Sequence, residues 1–319
     1  MKNVLVNTKD MDYITWKSYR KKGIGGSDVA SICGISKYRS PYAVYLDKTN
    51  QELEEKENDS NDYTHFGTIL EDIVAKEFSA RTGKKVRRKN MMINHSEYSF
   101  MLANIDRAIV GEKAFLECKT TSVYNSEKWE EDKIPDEYML QIQHYMAVLD
   151  YDYCYIACLI GGQKFVWKRI ERDNDLINTI IKIEKDFWEN HVLKKIPPTI
   201  SENDNELLQI LYKETEENEI PLKSDSREYI SRIKELKSKK EEIQCEINKY
   251  ENILKDMLGN STSGYIDNTR VVWKDVVSNR VDTNKLHTQY PEIYKACLNE
   301  TKYRKFSIKE RNDNSGIKR

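Results

Sequence analysis

Two stretches of the chain are rich in apolar residues over strand length, and each stretch is divided by residues that favour a tight turn. This arrangement predicts two β-hairpins. The first comprises residues 100–110, 111–113 and 114–119, and the second comprises residues 153–160, Gly161 with Gly162, and residues 164–170. Within each strand, side chains two residues apart are expected to lie on one face.

Apolar residues at helical spacing surround these hairpins. One predicted helix buries an apolar stripe and carries Glu71 at the edge of that stripe. The stripe consists of Ile69, Leu70, Ile73, Val74 and Phe78. A second helix is predicted to begin at Pro135, and an amphipathic helix passes through Phe187 and Trp188. Helices before, between and after two hairpins predict an α/β fold with a central mixed sheet flanked by helices.

The pattern changes after Pro197 and Pro198, where we expect the first domain to end. The residues that follow are acidic and are predicted to form a linker before a long helix. The predicted domains are residues 1–200, a linker at 201–222, a long helix at 223–260 and a small α+β region at 261–319.

Apolar residues of the long helix recur at alternating spacings of four and three, which defines a heptad seam. The seam positions are Tyr229, Ile233, Leu236, Lys240, Ile243, Ile247, Tyr250, Leu254 and Met257. Self-association, packing on the rest of the chain and binding of a partner all explain such a seam. Lys240 argues against a tightly closed dimeric zipper, because a buried ammonium is costly unless it is paired or reaches water. We therefore expect residues 223–260 to pack on their own chain or on a partner, and residues 1–200 to carry any contact between subunits.

The composition is nearly neutral, since 52 Lys and Arg residues stand against 53 Asp and Glu residues. A mean hydropathy of −0.77 and the lack of a long apolar run exclude a membrane-spanning helix, and residues 1–7 lack a signal-peptide core. We expect a soluble, cytoplasmic protein. The six cysteines contain no Cys-x-x-Cys pair, so reduced thiols are expected rather than disulfides or a zinc site.

Charge is distributed unevenly along the chain. Residues 81–89 hold six cations and no acid, whereas residues 52–62 are strongly acidic and predict a surface loop. A nucleic-acid-binding groove can therefore be basic while the whole chain is neutral. A solvated loop also explains the basic run, so its residues are not among the candidate site residues.

Asp106 and the triplet Glu117, Cys118 and Lys119 form the pattern with the most chemical content. Glu117 and Lys119 share one strand face, while the Cys118 side chain points away and leaves only its carbonyl available. These oxygens suit Mg²⁺, with Mn²⁺ as a substitute, because Mg²⁺ favours a few carboxylates or carbonyls and several waters. A metal ion can position water and offset charge on a scissile phosphate, and Lys119 can assist. The residues point to a metal-dependent nuclease, although a surface hairpin with alternating charges also fits the isolated pattern.

A glycine-rich segment precedes the first hairpin. Gly23, Gly25 and Gly26 permit close backbone approach, and Ser27 opens a predicted helix over residues 28–33 whose first amides suit an anion. Three consecutive cations precede this segment: Arg20, Lys21 and Lys22. A plain glycine-rich turn with Ser27 as a helix cap is the alternative to a phosphate site.

These motifs, together with Gln141 and Tyr145 one helical turn apart, resemble the phage lambda exonuclease family and its YqaJ-type viral recombinase relatives. The likeness covers residues 10–195 and implies the core fold of the D…ExK nuclease superfamily. The resemblance implies these metal ligands: Glu71, Asp106, Glu117 and the Cys118 carbonyl. It implies that Lys119 is the catalytic lysine and that Gln141 and Tyr145 complete the catalytic set.

The resemblance also implies a binding site for a 5′ phosphate on DNA, formed by Arg20, Lys22, Gly26 and Ser27. Gly25 and Gly26 are more open than the bulkier residues that some family members carry there. The recognition of DNA ends is therefore expected to differ in detail.

The implied activity is a Mg²⁺-dependent exonuclease that resects 5′ strands at double-stranded DNA ends and leaves 3′ single strands for phage-type recombination. A single-strand-annealing recombinase as partner, a ring-shaped homo-oligomer and a bacterial or prophage origin belong to the same expectation. Two alternatives stay open: a structure-specific or nicking endonuclease with the same core, and a non-enzymatic DNA-end-binding protein built around the long helix. The intact set of acids and lysine argues against the second.

Overall fold

The computed structural model describes residues 3–49, 62–212, 214–300 and 303–310, and the chain forms two compact units, Met1–Lys213 and Glu214–Arg319. The acidic loop predicted at residues 52–62 lies outside the described residues, except for Asp62.

Helices and strands of the first unit alternate along the chain. The elements up to the first hairpin are β1 (Asn3–Asn7), α1 (Tyr13–Arg20), β2 (Ile24–Gly25), α2 (Gly26–Ile32), α3 (Pro41–Thr49), α4 (Asp62–Thr82), β3 (Val86–Arg88), β4 (Met91–Asn94), β5 (Met101–Ala103), β6 (Arg107–Ile109) and β7 (Phe115–Thr121). They are followed by a 3₁₀ segment (Val123–Trp129), α5 (Asp136–Leu149), β8 (Tyr153–Ile160), β9 (Lys164–Glu171), α6 (Asn174–Asp186) with a π-helical end (Phe187–Val192), a 3₁₀ turn (Glu202–Asp204) and α7 (Asn205–Leu211).

The main sheet has the strand order β3-β6-β7-β8-β9. Neighbouring strands are antiparallel except β7 and β8, which run parallel, so the sheet is mixed. Parallel neighbours need a long crossover, and the segment that includes α5 supplies it. Leu116 packs in the core beside α4 with Val74 and Phe78, whereas Phe115 packs in the core that includes Ile142 of α5. The sheet is therefore covered by helices on both faces, which confirms the predicted α/β class.

The predicted strand over residues 100–110 is wrong in one respect, because it is two strands in different sheets. β5 lies in a four-stranded sheet of order β1-β4-β5-β2, whereas β6 lies in the main sheet. The pairing of β6 with β7 begins at Arg107 and Leu116. Just before it, the Asp106 carboxylate accepts the Cys118 N–H at 2.7 Å. A side chain thus replaces a backbone acceptor where the chain leaves one sheet for the other.

Two further expectations need correction. Ile69 and Ile73 are about half exposed, and the buried stripe of α4 consists of Val74, Ala75 and Phe78, since only that face meets β7 and β8. The first part of the predicted linker is also folded, because Ser201 caps the 3₁₀ turn that leads into α7. Its Asp204 is buried and accepts a hydrogen bond from Ser40. The acidic composition therefore predicted a linker where the chain forms a folded segment of the first unit.

The second unit contains α8 (Ser226–Leu258), β10 (Ser263–Ile266), β11 (Thr269–Val272), α9 (Thr283–Gln289) and α10 (Pro291–Ala296). β10 and β11 form an antiparallel hairpin. No residue of α8 is buried. Across the described parts of both units, no helix combines the length and apolar character needed to cross a bilayer.

Candidate active site

The structure brings Asp106, Glu117 and Lys119 together at the centre of the main sheet. Glu117 is almost fully buried, and Lys119 Nζ donates to its Oε1 at 2.8 Å. The Cys118 side chain packs instead in the core beneath α4. The alternation of β7 therefore directs Glu117 and Lys119 to one face, as the sequence predicts.

Burial and like charge make this acid pair unusual. Burial raises the pKa of Asp106 well above its ordinary value, and the nearby Glu117 charge raises it further. Glu117 Oε2 is buried and has no hydrogen-bond partner among the described residues. Burial alone would lower the pKa of Lys119, but the charges of Glu117 and Asp106 outweigh it and raise that pKa. The site therefore combines two acids with a lysine whose protonated form they favour, in an environment with little access to solvent.

Helix α5 covers this centre with three residues of one face. Gln141 Nε2 donates to Glu117 Oε1 at 2.7 Å, while Gln141 Oε1 accepts from Lys119 Nζ at 2.9 Å. Gln141 Nε2 also lies 3.4 Å from the Tyr145 hydroxyl, so the predicted pair projects together. Sequence reasoning missed Tyr138, whose ring centroid lies 4.7 Å from Lys119 Nζ. Its place three residues before Gln141 on the same helical face was the available signal.

Glu71 has different contacts from the other two carboxylates that were predicted as metal ligands, Asp106 and Glu117. Its Oε1 accepts a hydrogen bond from the buried Arg107, which also bonds to Asp72. Within the described part of the chain, no three acidic, imidazole or thiol side chains are close enough to hold one metal ion. Glu71 is still close enough to raise the pKa of Asp106. Sequence reasoning also missed Arg107, although a cation inside an apolar strand was a visible signal.

The glycine-rich segment packs directly against α5. A Cβ added to Gly26 would lie 2.6 Å from Tyr145 Cε1 and 2.9 Å from Gln141 Cγ, so only glycine fits without displacement. Arg20 donates to the Ser27 hydroxyl and lies against Gly25. The segment that holds Arg20 and Ser27 is therefore anchored to the same helix as the acid centre.

A buried carboxylate lies beneath Arg20 and Ser27. Asp28 is fully buried and pairs with Lys48 at 2.8 Å, Arg39 at 2.9 Å and Arg20 at 3.4 Å. Burial would raise the pKa of Asp28, but these three cations hold it well below its ordinary value. Arg39 and Lys48 lie 11 and 20 residues along the chain from Asp28. No local spacing signals such contacts, so sequence reasoning missed both residues.

Two details of the predicted phosphate site differ from expectation. The helix starts at Gly26 rather than at residue 28, and the Gly25 N–H donates to Asp28 at 3.0 Å, so this amide is already used. Lys22 lies over the Tyr19 ring, with Nζ 4.1 Å from the ring centroid, and has no described contact with Ser27. Arg20, Ser27 and Gly26 are thus gathered together, whereas Lys22 is not.

The basic run at residues 81–89 is partly neutralised by neighbouring acids. Arg81 pairs with Glu77, Lys84 with Glu112, and Arg88 with Asp72. These pairs reduce the positive charge available to a polyanion.

His144 lies next to Tyr145 on α5 but has other partners. It is buried between Glu184 and the Leu102 carbonyl, at 2.7 and 3.0 Å, and thus lies away from the acid centre.

A sequence profile of the YqaJ-like viral recombinase domain matches residues 15–152, the segment that holds the acid centre and the Arg20 cluster. The chain belongs to this family, because almost the whole length of the chain is also similar to a protein that carries the family's name. That relative is the uncharacterized protein YqaJ of Bacillus subtilis (strain 168), which is 46% identical over 313 residues, covering 96% of this chain and 97% of that protein. The predicted family is confirmed.

Solved structures similar to this chain include two proteins with low identity. One is an alkaline exonuclease (LHK-Exo) from Laribacter hongkongensis, with a TM-score of 0.48, 21% identity, and coverage of 57% of this chain and 93% of that chain. The other is a phage-related exonuclease from Haemophilus somnus 129PT, with a TM-score of 0.41, 16% identity, and coverage of 54% and 96%.

Proposed function

We propose that this protein is a metal-dependent deoxyribonuclease that degrades the 5′ strand at double-stranded DNA ends and leaves 3′ single strands for recombination. The observation that carries the proposal is the set of Asp106, the buried Glu117 and Lys119, gathered beneath Gln141 in a member of a viral recombinase family. The 5′-to-3′ polarity rests on the resemblance to lambda-type exonucleases.

The residues present fit a divalent cation. The neighbouring carboxylates of Asp106 and Glu117 repel each other, and the buried Glu117 Oε2 has no hydrogen-bond partner among the described residues, so a bound cation would relieve both costs. Asp106, Glu117 and the Cys118 carbonyl would hold Mg²⁺ or Mn²⁺, with waters completing the shell. Glu71 bonds to Arg107 through Oε1 and would have to move toward Asp106 to join them. The ion would supply charge stabilisation at the scissile phosphate.

The side chains around the acids have separate roles in this proposal. The charges of Glu117 and Asp106 favour the protonated form of Lys119, which can donate hydrogen bonds to the attacking water or to a phosphate oxygen. Gln141 bonds to both Lys119 and Glu117 and fixes their separation. Tyr145 supports Gln141 from the next turn of α5.

The Arg20 cluster would receive the 5′ phosphate. Arg20 keeps about a quarter of its side chain exposed while its guanidinium is oriented by Ser27 and Asp28. An oriented guanidinium can bind phosphate through paired hydrogen bonds. Processive degradation by a ring of subunits, and transfer of the 3′ strand to a single-strand-annealing recombinase, complete the proposal.

A time course on DNA labelled at its 5′ ends tests the reaction. Wild-type protein with Mg²⁺ should release labelled mononucleotides from linear duplex first and leave covalently closed duplex intact, whereas chelation of divalent ions should stop the reaction. Asp106→Asn should lose activity, while the matched Asp72→Asn should retain it. Cleavage of closed duplex would instead indicate an endonuclease, and binding of ends without cleavage would indicate a DNA-end-binding protein.

A further inference from the structure

Helix α8 presents a long apolar face to its surroundings. It has 33 residues, so it is about 50 Å long, and none of its residues is buried. Ile243, Ile247 and Leu254 are each between two-fifths and three-fifths exposed. A helix of this length gains most of its stability from packing of its apolar face. A continuous exposed apolar stripe therefore indicates a binding surface.

The stripe has the geometry of a coiled-coil seam. In heptad notation, a and d denote the seam positions and e and g denote the positions that flank them. The a positions are Ile233, Lys240, Ile247 and Leu254, and the d positions are Tyr229, Leu236, Ile243, Tyr250 and Met257. A straight seam over four heptads, apolar except at Lys240, fits another α-helix better than a globular surface, because knobs from one helix fill holes on the other.

The charges that flank the seam are divided between the two halves of the helix. In the first half, the charged residues at e and g are Arg232, Lys237 and Lys239, all cations. In the second half, they are Glu246 and Glu251, both acids. Each half of α8 therefore complements the opposite half of a second α8.

This division distinguishes the two orientations of a pair of identical helices. A parallel pair in register would place Arg232 beside Lys237 of the partner subunit, and Glu246 beside Glu251 of the partner subunit, which are like charges. An antiparallel pair in which Lys240 lies opposite Ile243 of the partner subunit would place Lys239 beside Glu246 of the partner subunit, twice by symmetry. Charges at e and g select orientation, so this pattern favours the antiparallel pair.

We propose that α8 binds α8 of a second copy of this chain as an antiparallel coiled coil. The Lys239 ammonium now pairs with Glu235 at 2.6 Å, but both side chains are about half exposed and such a pair is weak, so Lys239 can exchange it for Glu246 of the partner subunit. Lys240 lies opposite Ile243 of the partner subunit in this register, whereas a parallel pair would place it directly opposite Lys240 of the partner subunit. Its stem can pack on Ile243 of the partner subunit while its ammonium extends past the seam to water, which avoids the cost of a buried charge.

Light scattering of the full chain over a range of concentrations tests the association. Wild-type protein should associate, and Ile247→Asp should abolish α8 pairing, whereas the outward-facing control Asn252→Asp should behave as wild type. Helix content measured by circular dichroism shows whether each variant still folds. A chain that stays monomeric at every concentration, or an Ile247→Asp protein that associates like wild type, would overturn the proposal in favour of coverage by its own chain or contacts elsewhere.

Charge variants test the orientation. Glu246→Lys should weaken association by on the order of tenfold, because it turns two attractions into repulsions, and adding Lys239→Glu should restore it. The control Glu242→Lys, which makes the same change away from the seam, should have little effect. Stronger association of Glu246→Lys would indicate a parallel pair and contradict the antiparallel arrangement.

Cysteine cross-linking gives a readout that is independent of other subunit contacts. With the exposed Cys245 and Cys297 replaced by Ser, the double variant Tyr229→Cys with Leu254→Cys should form disulfide-linked dimers on oxidation. Neither single variant should do so. Dimers formed by Leu254→Cys alone would indicate a parallel pair, and failure of the double variant would refute the proposed register.

Discussion

Asp106 lies beside the buried Glu117 in a poorly solvated position, and we expect this placement to lower stability when no cation is bound. The Asp106 carboxylate accepts one backbone hydrogen bond, from Cys118, which an amide oxygen can also accept. Its negative charge, in contrast, is opposed by burial and by Glu117. We therefore expect the two carboxylates to destabilise the metal-free fold and a bound cation to offset that cost, as the proposed function requires.

We expect Asp106→Asn to raise the free energy of unfolding at pH 7 by about 1 kcal/mol or more in the presence of a chelator, because it removes a poorly solvated charge beside Glu117 and keeps the acceptor. Chemical denaturation measures the change. The matched variant Asp72→Asn removes a half-exposed partner of Arg88 and Arg107 and should be neutral or slightly destabilising. An Asp106→Asn protein less stable than Asp72→Asn would contradict this account of the site.

The charge of Asp28, unlike that of Asp106, stabilises the fold, because it pairs with three cations. Asp28→Asn should cost about 3–5 kcal/mol, because Lys48 has no exposed side-chain surface and would keep only the more distant Asp47, at 3.5 Å, as an acidic partner. Asp47→Asn removes a partly exposed acid from the same Arg39 and Lys48 and should cost much less.

The stability that Asp28 contributes should depend on pH. The pKa of Asp28 is lowered in the folded protein, so its contribution is fully present above the unfolded value of about 3.9 and is lost as pH falls below that value. The cations that pair with it are Arg20, Arg39 and Lys48. Denaturation midpoints of wild type and Asp28→Asn should therefore converge as pH falls from 5 toward 2. A constant difference would exclude this ion cluster as the cause.

At the scale of elements, the contact between α2 and α5 depends on Gly26. Gly26→Ala should cost about 1–3 kcal/mol and reduce cleavage, because the added Cβ would displace Tyr145 and Gln141. Thermal unfolding and the rate of nucleotide release measure the two effects.

Gly67 provides the matched control. It lies within α4, and a Cβ there would meet no atom within 4 Å. Gly67→Ala should therefore raise stability by up to about 1 kcal/mol through helix propensity. Equal effects of the two substitutions would mean that Gly26 matters only through backbone freedom.

At the scale of the whole molecule, the limit of the first unit is set by packing. Leu207 and Leu211 of α7 pack against the main core, and Asp204 bonds to Ser40. A chain ending at residue 213 should therefore unfold cooperatively with the stability of the first unit. A chain ending at residue 200 should be less stable by roughly 3 kcal/mol, because it loses two half-buried leucines and a buried hydrogen bond.

Denaturant unfolding of the two shortened chains tests this limit. Ser40→Ala in the longer chain isolates the hydrogen-bond part and should account for only a fraction of the difference, while leaving Asp204 short of a donor. If both shortened chains unfold at the same denaturant concentration, α7 contributes nothing to the first unit.

The sequence by itself determined the features that depend on a repeating backbone geometry. Glu117 and Lys119 share a face because a strand repeats every two residues, and Gln141 and Tyr145 project together because a helix repeats every 3.6 residues. The α/β class follows from the order of such elements, and the family follows from motifs that those elements carry. The heptad seam of α8 is periodic in the same way.

Tertiary structure alone decided the contacts between segments that are distant along the chain. The break before Asp106, the pairing of Glu71 with Arg107, the cations on Asp28 and the packing of α7 share one physical cause. In each case a polar group is buried or paired because two separate elements pack face to face. Local sequence periodicity does not predict which faces meet. The hydrogen bond between Gln141 and Glu117 also depends on tertiary structure, because the parallel pairing of β7 with β8 brings α5 across the sheet.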